Sequence, residues 1–286
     1  MLFNYLDKKS DWMKFLRFKN KADSLNQDIS IKTGFLDDEN KVVELKGEIL
    51  DYFNADIKSI LEKTVETHSL EDIEILSPTE PSKIVCIGLN YKDHAAELNL
   101  ELPESPVIFI KPSTTVNRTG GIIIYPKISK QVDYEGELAV VIGKTTKQVS
   151  VEEADNHIFG YTVINDVTAR DFTLGDGQWT RGKSCDGFAP IGPCIETDLD
   201  PLNQRIVTKV NGEIKQNSNT NQMIFSPQEI ISYVSQTMTL KAGDVIATGT
   251  PPGVGPMDAD SIVEVAIEDI GTLKNHLIGN NEQNNN

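Results

Sequence analysis

Hydrophobic residues in this chain fall mostly in short runs bounded by turn residues, and few stretches carry the period of a long helix. Runs at Lys83–Gly88, Pro106–Lys111, Ile122–Tyr125, Glu137–Ile142, Tyr161–Asn165, Arg205–Val210, Val245–Thr248 and Ile262–Ile267 predict strands. Several follow one another closely, without room for a long intervening helix. That spacing predicts a mainly β domain, a barrel or folded sandwich, rather than a doubly wound α/β sheet. Ahead of it, residues 1–75 read as a small N-terminal domain. Lys14–Phe18, Ile29–Thr33 and Val42–Leu45 look like strands, Asp37 to Asn40 like a turn, and Ala55–Val65 like a helix. Residues 76–82 carry Pro78 and Pro81 and read as a linker, which leaves 83–278 as the larger domain. Residues 279–286 are polar and of low complexity, and read as a disordered tail.

Two local signals are sharper. Asn211-Gly212 stands between two strand-like runs and favours a tight type I′ hairpin, because both central residues need positive φ. Ser226, Pro227 and Glu229 make a capping box with proline at the first helical position. The helix that follows runs to about Met238, with Ile230, Ile231, Val234 and Met238 on one face for the core.

Composition narrows the function. The formal net charge of −16 argues against general phosphate neutralisation and against binding to anionic lipid, so no nucleic-acid or membrane partner is expected. An anionic substrate must then be drawn in locally, by a metal or by a few placed cations. Cys86, Cys185 and Cys194 are odd in number and far apart, which excludes a disulfide framework and a zinc ribbon and fits a reducing compartment. No apolar run reaches the roughly 18 residues of a membrane span. An intracellular location is expected, in the cytoplasm or the mitochondrial matrix. Lys8, Lys9, Lys14, Arg17, Lys19 and Lys21 hint at an organelle presequence, while Asp7, Asp11 and Asp23 count against it.

The strongest chemical signal is the run from Val132 to Gly143, which carries Asp133, Glu135 and Glu137 ahead of a purely apolar stretch. Alternate side chains of a strand share a face, so Glu135 and Glu137 point the same way about 7 Å apart. Asp133 joins them if the strand extends that far. Like charges at the edge of a core repel, and a cation removes that cost. Carboxylate oxygens select a hard ion, Mg²⁺ first, with Mn²⁺ or Ca²⁺ as alternatives. A bare Glu-x-Glu also reads as a solvated strand face. Asp166, at the end of the Tyr161–Asn165 strand, is the third acid that favours a metal site. If Asn90–Glu97 forms a helical turn, His94 and Glu97 lie at i and i+3 and make an acid–base pair, or an ordinary surface pair. Lys183 lies in a glycine-flanked loop, where a lysine holds a substrate carboxylate or water, or is an ordinary solvated side chain. Gly249-Thr-Pro-Pro-Gly-Val-Gly255 follows a strand, and its N–H groups can bind an oxyanion.

Taken in order, seven motifs resemble the fumarylacetoacetate hydrolase superfamily. They are Gly-Leu-Asn-Tyr-Lys-Asp-His-Ala-Ala-Glu (88–97), Phe-Ile-Lys-Pro-Ser (109–113), Asp-Tyr-Glu-Gly-Glu-Leu (133–138), Asn-Asp-Val-Thr-Ala-Arg-Asp (165–171), Gly-Lys-Ser-Cys-Asp (182–186), Val-Asn-Gly-Glu (210–213) and Gly-Thr-Pro-Pro-Gly-Val-Gly (249–255). The resemblance spans about residues 83 to 275. It implies an α+β, mainly β fold: a mixed β-roll catalytic domain, commonly dimeric, with a variable N-terminal unit. It implies Glu135, Glu137 and Asp166 as ligands of Mg²⁺ or a similar ion, and His94 with Glu97 as the acid–base pair. Lys183, Thr250 and Arg170 are the implied contacts to water or substrate. The segment Val210–Phe225 looks nearest to the subgroup associated with oxaloacetate tautomerisation. Leu89 departs from the arginine often found there in acylpyruvate-cleaving and oxaloacetate-decarboxylating relatives. The implied chemistry is that of a small 2-oxo acid whose enolate the metal stabilises, either as a tautomerase or as a C–C hydrolase. A non-catalytic binding scaffold is the third reading, and His94, Glu97 and Lys183 argue against it.

Overall fold

A computed structural model describes residues 13–22 and 30–279. Of the expected disordered tail, Gly279 is described and ends a strand, and residues 280–286, like the basic N-terminal stretch before Met13, lie outside the described residues. The fold is mostly β, with mixed sheets. Its largest sheet has 12 strands, of which ten run in order Thr64–His68, Val42–Leu45, Lys32–Leu36, Lys14–Asn20, Ala189–Glu196, Ile158–Asn165, Gly136–Ile142, Val245–Ala247, Lys83–Gly88 and Val107–Pro112. A five-stranded sheet joins Glu213–Asn219, Arg205–Val210, Ile262–Ile267, Gly271–Gly279 and Ile122–Tyr125, and a three-stranded one joins Thr168–Ala169, Val132–Tyr134 and Gly255–Met257.

The central strands explain why the sheet holds together. Gly136–Ile142 is buried along its whole length, because its neighbours on either side and the layers on both faces exclude water. Val140 and Ile142 turn to one core cluster while Ala139 and Val141 turn to another, the two faces of one strand. The predicted hairpin forms, with Asn211 and Gly212 at φ of 51° and 81°. The helix Pro227–Thr237 begins with the expected capping box and buries Ile230, Ile231 and Val234.

Several expectations shift. The helix expected over Ala55–Val65 is only Ile57–Leu61, because Thr64–His68 pairs as a strand with Val42–Leu45. The strand expected at Ile29–Thr33 is Lys32–Leu36, and Ile29 lies outside the described residues. The proline-bearing stretch 76–82 is packed: the Thr79 hydroxyl donates to the Gly243 carbonyl at 2.7 Å, and Ser77 and Thr79 are buried. Lys14–Asn20 pairs with Ala189–Glu196, so the N-terminal strands extend the main sheet. No helix among the described residues is long and apolar enough to cross a membrane.

Candidate active site

The site gathers where Lys83–Gly88, Gly136–Ile142 and Val245–Ala247 end side by side. Asn90, fully buried, ties these ends together. Its amide nitrogen donates to the carbonyls of Thr248 (2.7 Å) and Phe225 (3.0 Å), and its oxygen accepts from the Phe225 N–H. The next turn, Lys92–Glu97, is helical and places His94 Nδ1 2.9 Å from Glu97 Oε2.

Glu135 stands between the strands Val132–Tyr134 and Gly136–Ile142, where the chain passes from the small sheet to the large one. The break does not separate the acids. Oxygens of Glu135, Glu137 and Asp166 lie within 4.8 Å of one another, all three residues buried. Asp133 lines the same cavity but pairs with Arg170, whose Nε is 2.8 Å from its Oδ2 and whose Nη2 also bonds Glu135. Lys183 donates to Glu135 (2.7 Å) and to Asp166 (2.6 Å). Burial opposes its charge, yet Asp166 and Glu135 outweigh that and raise its pKa, so Lys183 is a fixed cation and not a base.

Lys111 is the residue that the sequence did not single out. Fully buried, it reaches Asp166 Oδ1 at 2.6 Å and the Val167 carbonyl at 2.9 Å. Its place inside the Phe-Ile-Lys-Pro-Ser motif was the available signal. Burial works to raise the pKa of Asp166, but Lys111 and Lys183 reverse this and hold it low.

Glu137 is different. Among the described residues it has no ion pair with lysine or arginine, and the Gly249 N–H at 2.8 Å is its hydrogen bond. Burial first, then Asp166 and Glu135, push its carboxyl well above the usual range. Four carboxylates thus face three cations: Asp133, Glu135, Glu137 and Asp166 against Lys111, Arg170 and Lys183. The surplus negative charge sits on buried oxygen donors. That is a set fitted to a hard divalent cation.

The glycine-rich loop binds oxyanions that belong to the chain. Gly249 holds Glu137, and the Gly253 N–H donates to Glu97 at 3.1 Å. Thr250 lines the cavity, but its hydroxyl donates to the Gly136 carbonyl and accepts from Gln216. It therefore shapes the wall first. Arg170 orients Asp133 and Glu135 in the same way. The cavity is about 640 Å³, within the range of small-molecule sites. Its lining combines the charged cluster, with His94 and Glu97, and the apolar side chains of Leu89, Leu98, Leu100, Phe109, Trp179 and Val254.

The comparisons agree with this geometry. The model of the fumarylacetoacetate (FAA) hydrolase C-terminal family matches residues 83–278. A mitochondrial oxaloacetate tautomerase of Bos taurus is 43% identical over 220 residues, 72% of this chain and 70% of that protein. The crystal structure of a 2-hydroxyhepta-2,4-diene-1,7-dioate isomerase from Mycobacterium marinum superposes with a TM-score of 0.83 at 36% identity, covering 94% of this chain and 100% of that one. A fumarylpyruvate hydrolase from Pseudomonas aeruginosa, solved in complex with Mn²⁺ and pyruvate, gives 0.65 at 33% identity, over 72% of this chain and 91% of that one. With the family model covering the whole site and the relatives matching across most of the chain, this protein belongs to the fumarylacetoacetate hydrolase superfamily of enzymes.

Proposed function

We propose that this chain tautomerises oxaloacetate between its keto and enol forms, using a divalent cation, Mg²⁺ first, held by Glu135, Glu137 and Asp166. The observation that carries the reading is the meeting of those three buried carboxylates and the His94–Glu97 pair at one cavity. The cation would supply a Lewis acid that stabilises negative charge on the keto oxygen of a 2-oxo acid. The remaining work falls to side chains. A proton on His94 Nδ1 donated to Glu97 leaves Nε2 free to take a proton from the carbon beside the keto group. Returning that proton to oxygen completes the isomerisation with no other reactant. Gly253 keeps Glu97 in place through its N–H, and Lys183 keeps a permanent positive charge beside the developing anion. Oxaloacetate is favoured by the 43% identity to the bovine tautomerase and by Leu89, which leaves this position without a cation.

One observation favours a second reading. The cavity is larger than a four-carbon acid fills, and much of its lining is apolar. In that account the same pair activates water against a second carbonyl of an acylpyruvate, and the enolate of the 2-oxo acid leaves. The discriminating experiment uses Mg²⁺ and oxaloacetate prepared as the enol, following enol absorbance and pyruvate release together. Fast loss of enol without pyruvate, abolished by chelator, is the expected result. An unchanged enol decay overturns it and makes C–C hydrolysis of acylpyruvates the leading account. His94→Ala should keep metal binding and lose about 10²–10⁴-fold in turnover, and wild-type turnover in that variant would reject the pair. A homodimer is proposed from the family resemblance, and a monomer in light scattering would reject it.

A further inference from the structure

Part of the apolar lining of the cavity also faces a second space. Phe109 and Trp179 line both the site cavity and a neighbouring groove of about 910 Å³ along the edge strand Val107–Pro112. The two rings meet edge to face, with centroids 5.1 Å apart at 89°. Behind them, the Lys183 ammonium lies 5.0 Å from the Phe109 centroid. The Lys183 N–H also donates to the Trp179 carbonyl at 2.9 Å. The wall is thus built onto the charged centre, one helical turn away from the cation that holds Glu135 and Asp166.

Gly88 fixes where the indole sits. A Cβ there would stand 2.7 Å from both Cη2 and Cζ3 of Trp179, while its backbone φ lies outside the left-handed region. The glycine is required by space and not by conformation. Trp179 itself is 40% exposed, so burial alone does not account for a tryptophan packed on a glycine at the mouth of the site.

We infer that Trp179, seated on Gly88, sets the longest side chain that this site accepts, so that 2-oxo acids longer than oxaloacetate bind with the tail running from the charged cluster towards the indole until the indole stops it. The inference rests on the proposed 2-oxo acid chemistry and adds a limit on chain length. Tail methylenes that pack against Leu89, Leu98 and Phe109 leave water and tighten binding, and the indole ends that gain. Removing it joins the cavity to the groove.

The test measures binding rather than turnover. The chain has two tryptophans, Trp12 and Trp179, so Trp12→Phe leaves Trp179 as the reporter of occupancy. Mn²⁺-loaded wild type, Trp12→Phe, Trp179→Ala, Trp179→Phe and Gly88→Ala are titrated with straight-chain 2-oxo acids from pyruvate to 2-oxooctanoate, by calorimetry and, for the Trp12→Phe protein, by fluorescence. Each methylene up to the wall should tighten binding roughly threefold to fourfold, followed by a sharp cut-off. Trp179→Ala should move the cut-off to longer acids, Trp179→Phe should restore most of the wild-type limit, and Gly88→Ala should displace the limit while keeping pyruvate affinity. An unchanged dependence on tail length in folded Trp179→Ala and Gly88→Ala overturns the inference and leaves the functional reading intact. If none of these acids binds the wild type, this inference is overturned, while the functional reading stands or falls on the enol assay with oxaloacetate.

Discussion

Glu137 and Asp166 belong to one cluster but differ in what neutralises them. Asp166 faces two buried ammonium groups, and Glu137 has one backbone N–H. Neutralising each should therefore have opposite effects on the metal-free protein. Glu137→Gln keeps the shape, keeps an acceptor for Gly249 and removes a buried carboxyl whose ionisation burial, Asp166 and Glu135 oppose, so it should stabilise by about 1–3 kcal/mol. Asp166→Asn leaves Lys111 fully buried opposite a neutral amide and should destabilise by about 3–5 kcal/mol. Thermal melts in chelator give the two signs, and calorimetry with Mg²⁺ should show tight binding lost in both. If Glu137→Gln proves as destabilising as Asp166→Asn, the unfavourable surroundings attributed to the Glu137 carboxyl do not exist. The acids themselves were legible, because Glu135 and Glu137 alternate in a strand and Asp166 ends another. Lys111 was not. A lysine near the end of a short strand reads as a solvated tip, and its burial depends on an aspartate 55 residues away.

At the scale of elements, the loop after Val245–Ala247 connects packing to chemistry. Gly253 has φ of +94°, and a Cβ there would overlap the Lys215 carbonyl oxygen. The same residue's N–H holds Glu97. Gly253→Ala must therefore move the loop, at a cost of about 1–3 kcal/mol, and release Glu97. Turnover should fall by roughly 10–100-fold through loss of orientation, with Mg²⁺ affinity unchanged because Gly249 and Glu137 lie on the far side of two prolines. A parallel loss of Mg²⁺ affinity would mean that the loop acts as one unit and that the dyad is not separately positioned. Elements with local signals were readable: the capping box at Ser226, the Asn211-Gly212 hairpin and the apolar run Lys83–Gly88. Ala189–Glu196 escaped because Pro190 and Pro193 read against a strand, although tertiary pairing with Ile158–Asn165 makes it central. Gly271–Gly279 escaped because Lys274 and His276 alternate with Leu273, Asn275 and Leu277, and a polar residue, Asn275, holds an inward position by bonding two carbonyls.

At the scale of the molecule, the N-terminal strands and the catalytic strands share one sheet, and Glu196 sits at their junction. It pairs in register with Lys14 and is 2% exposed. Burial is the largest influence on its carboxyl, and although the Asp198 N–H and Lys14 favour the charged form, the pKa is pushed up to about 7. The folded value lies above the ordinary glutamate value. The proton is therefore held more tightly in the folded chain, and the stability this contributes is full below about pH 4.5. It is lost as pH rises through about 7. Glu196→Gln keeps the neutral shape at every pH. It should leave the melting temperature unchanged at about pH 4 and raise it at about pH 8.5, by about 1–2 kcal/mol after allowing for partial solvent screening. For a chain of this size that is about 2–3 °C. Melts of both proteins in chelator, at the two pH values, decide it. An equal shift at both would assign the effect to packing and not to the proton. A gain confined to the higher pH would place a titrating carboxylate in the seam that joins the N-terminal strands to the sheet carrying the catalytic site.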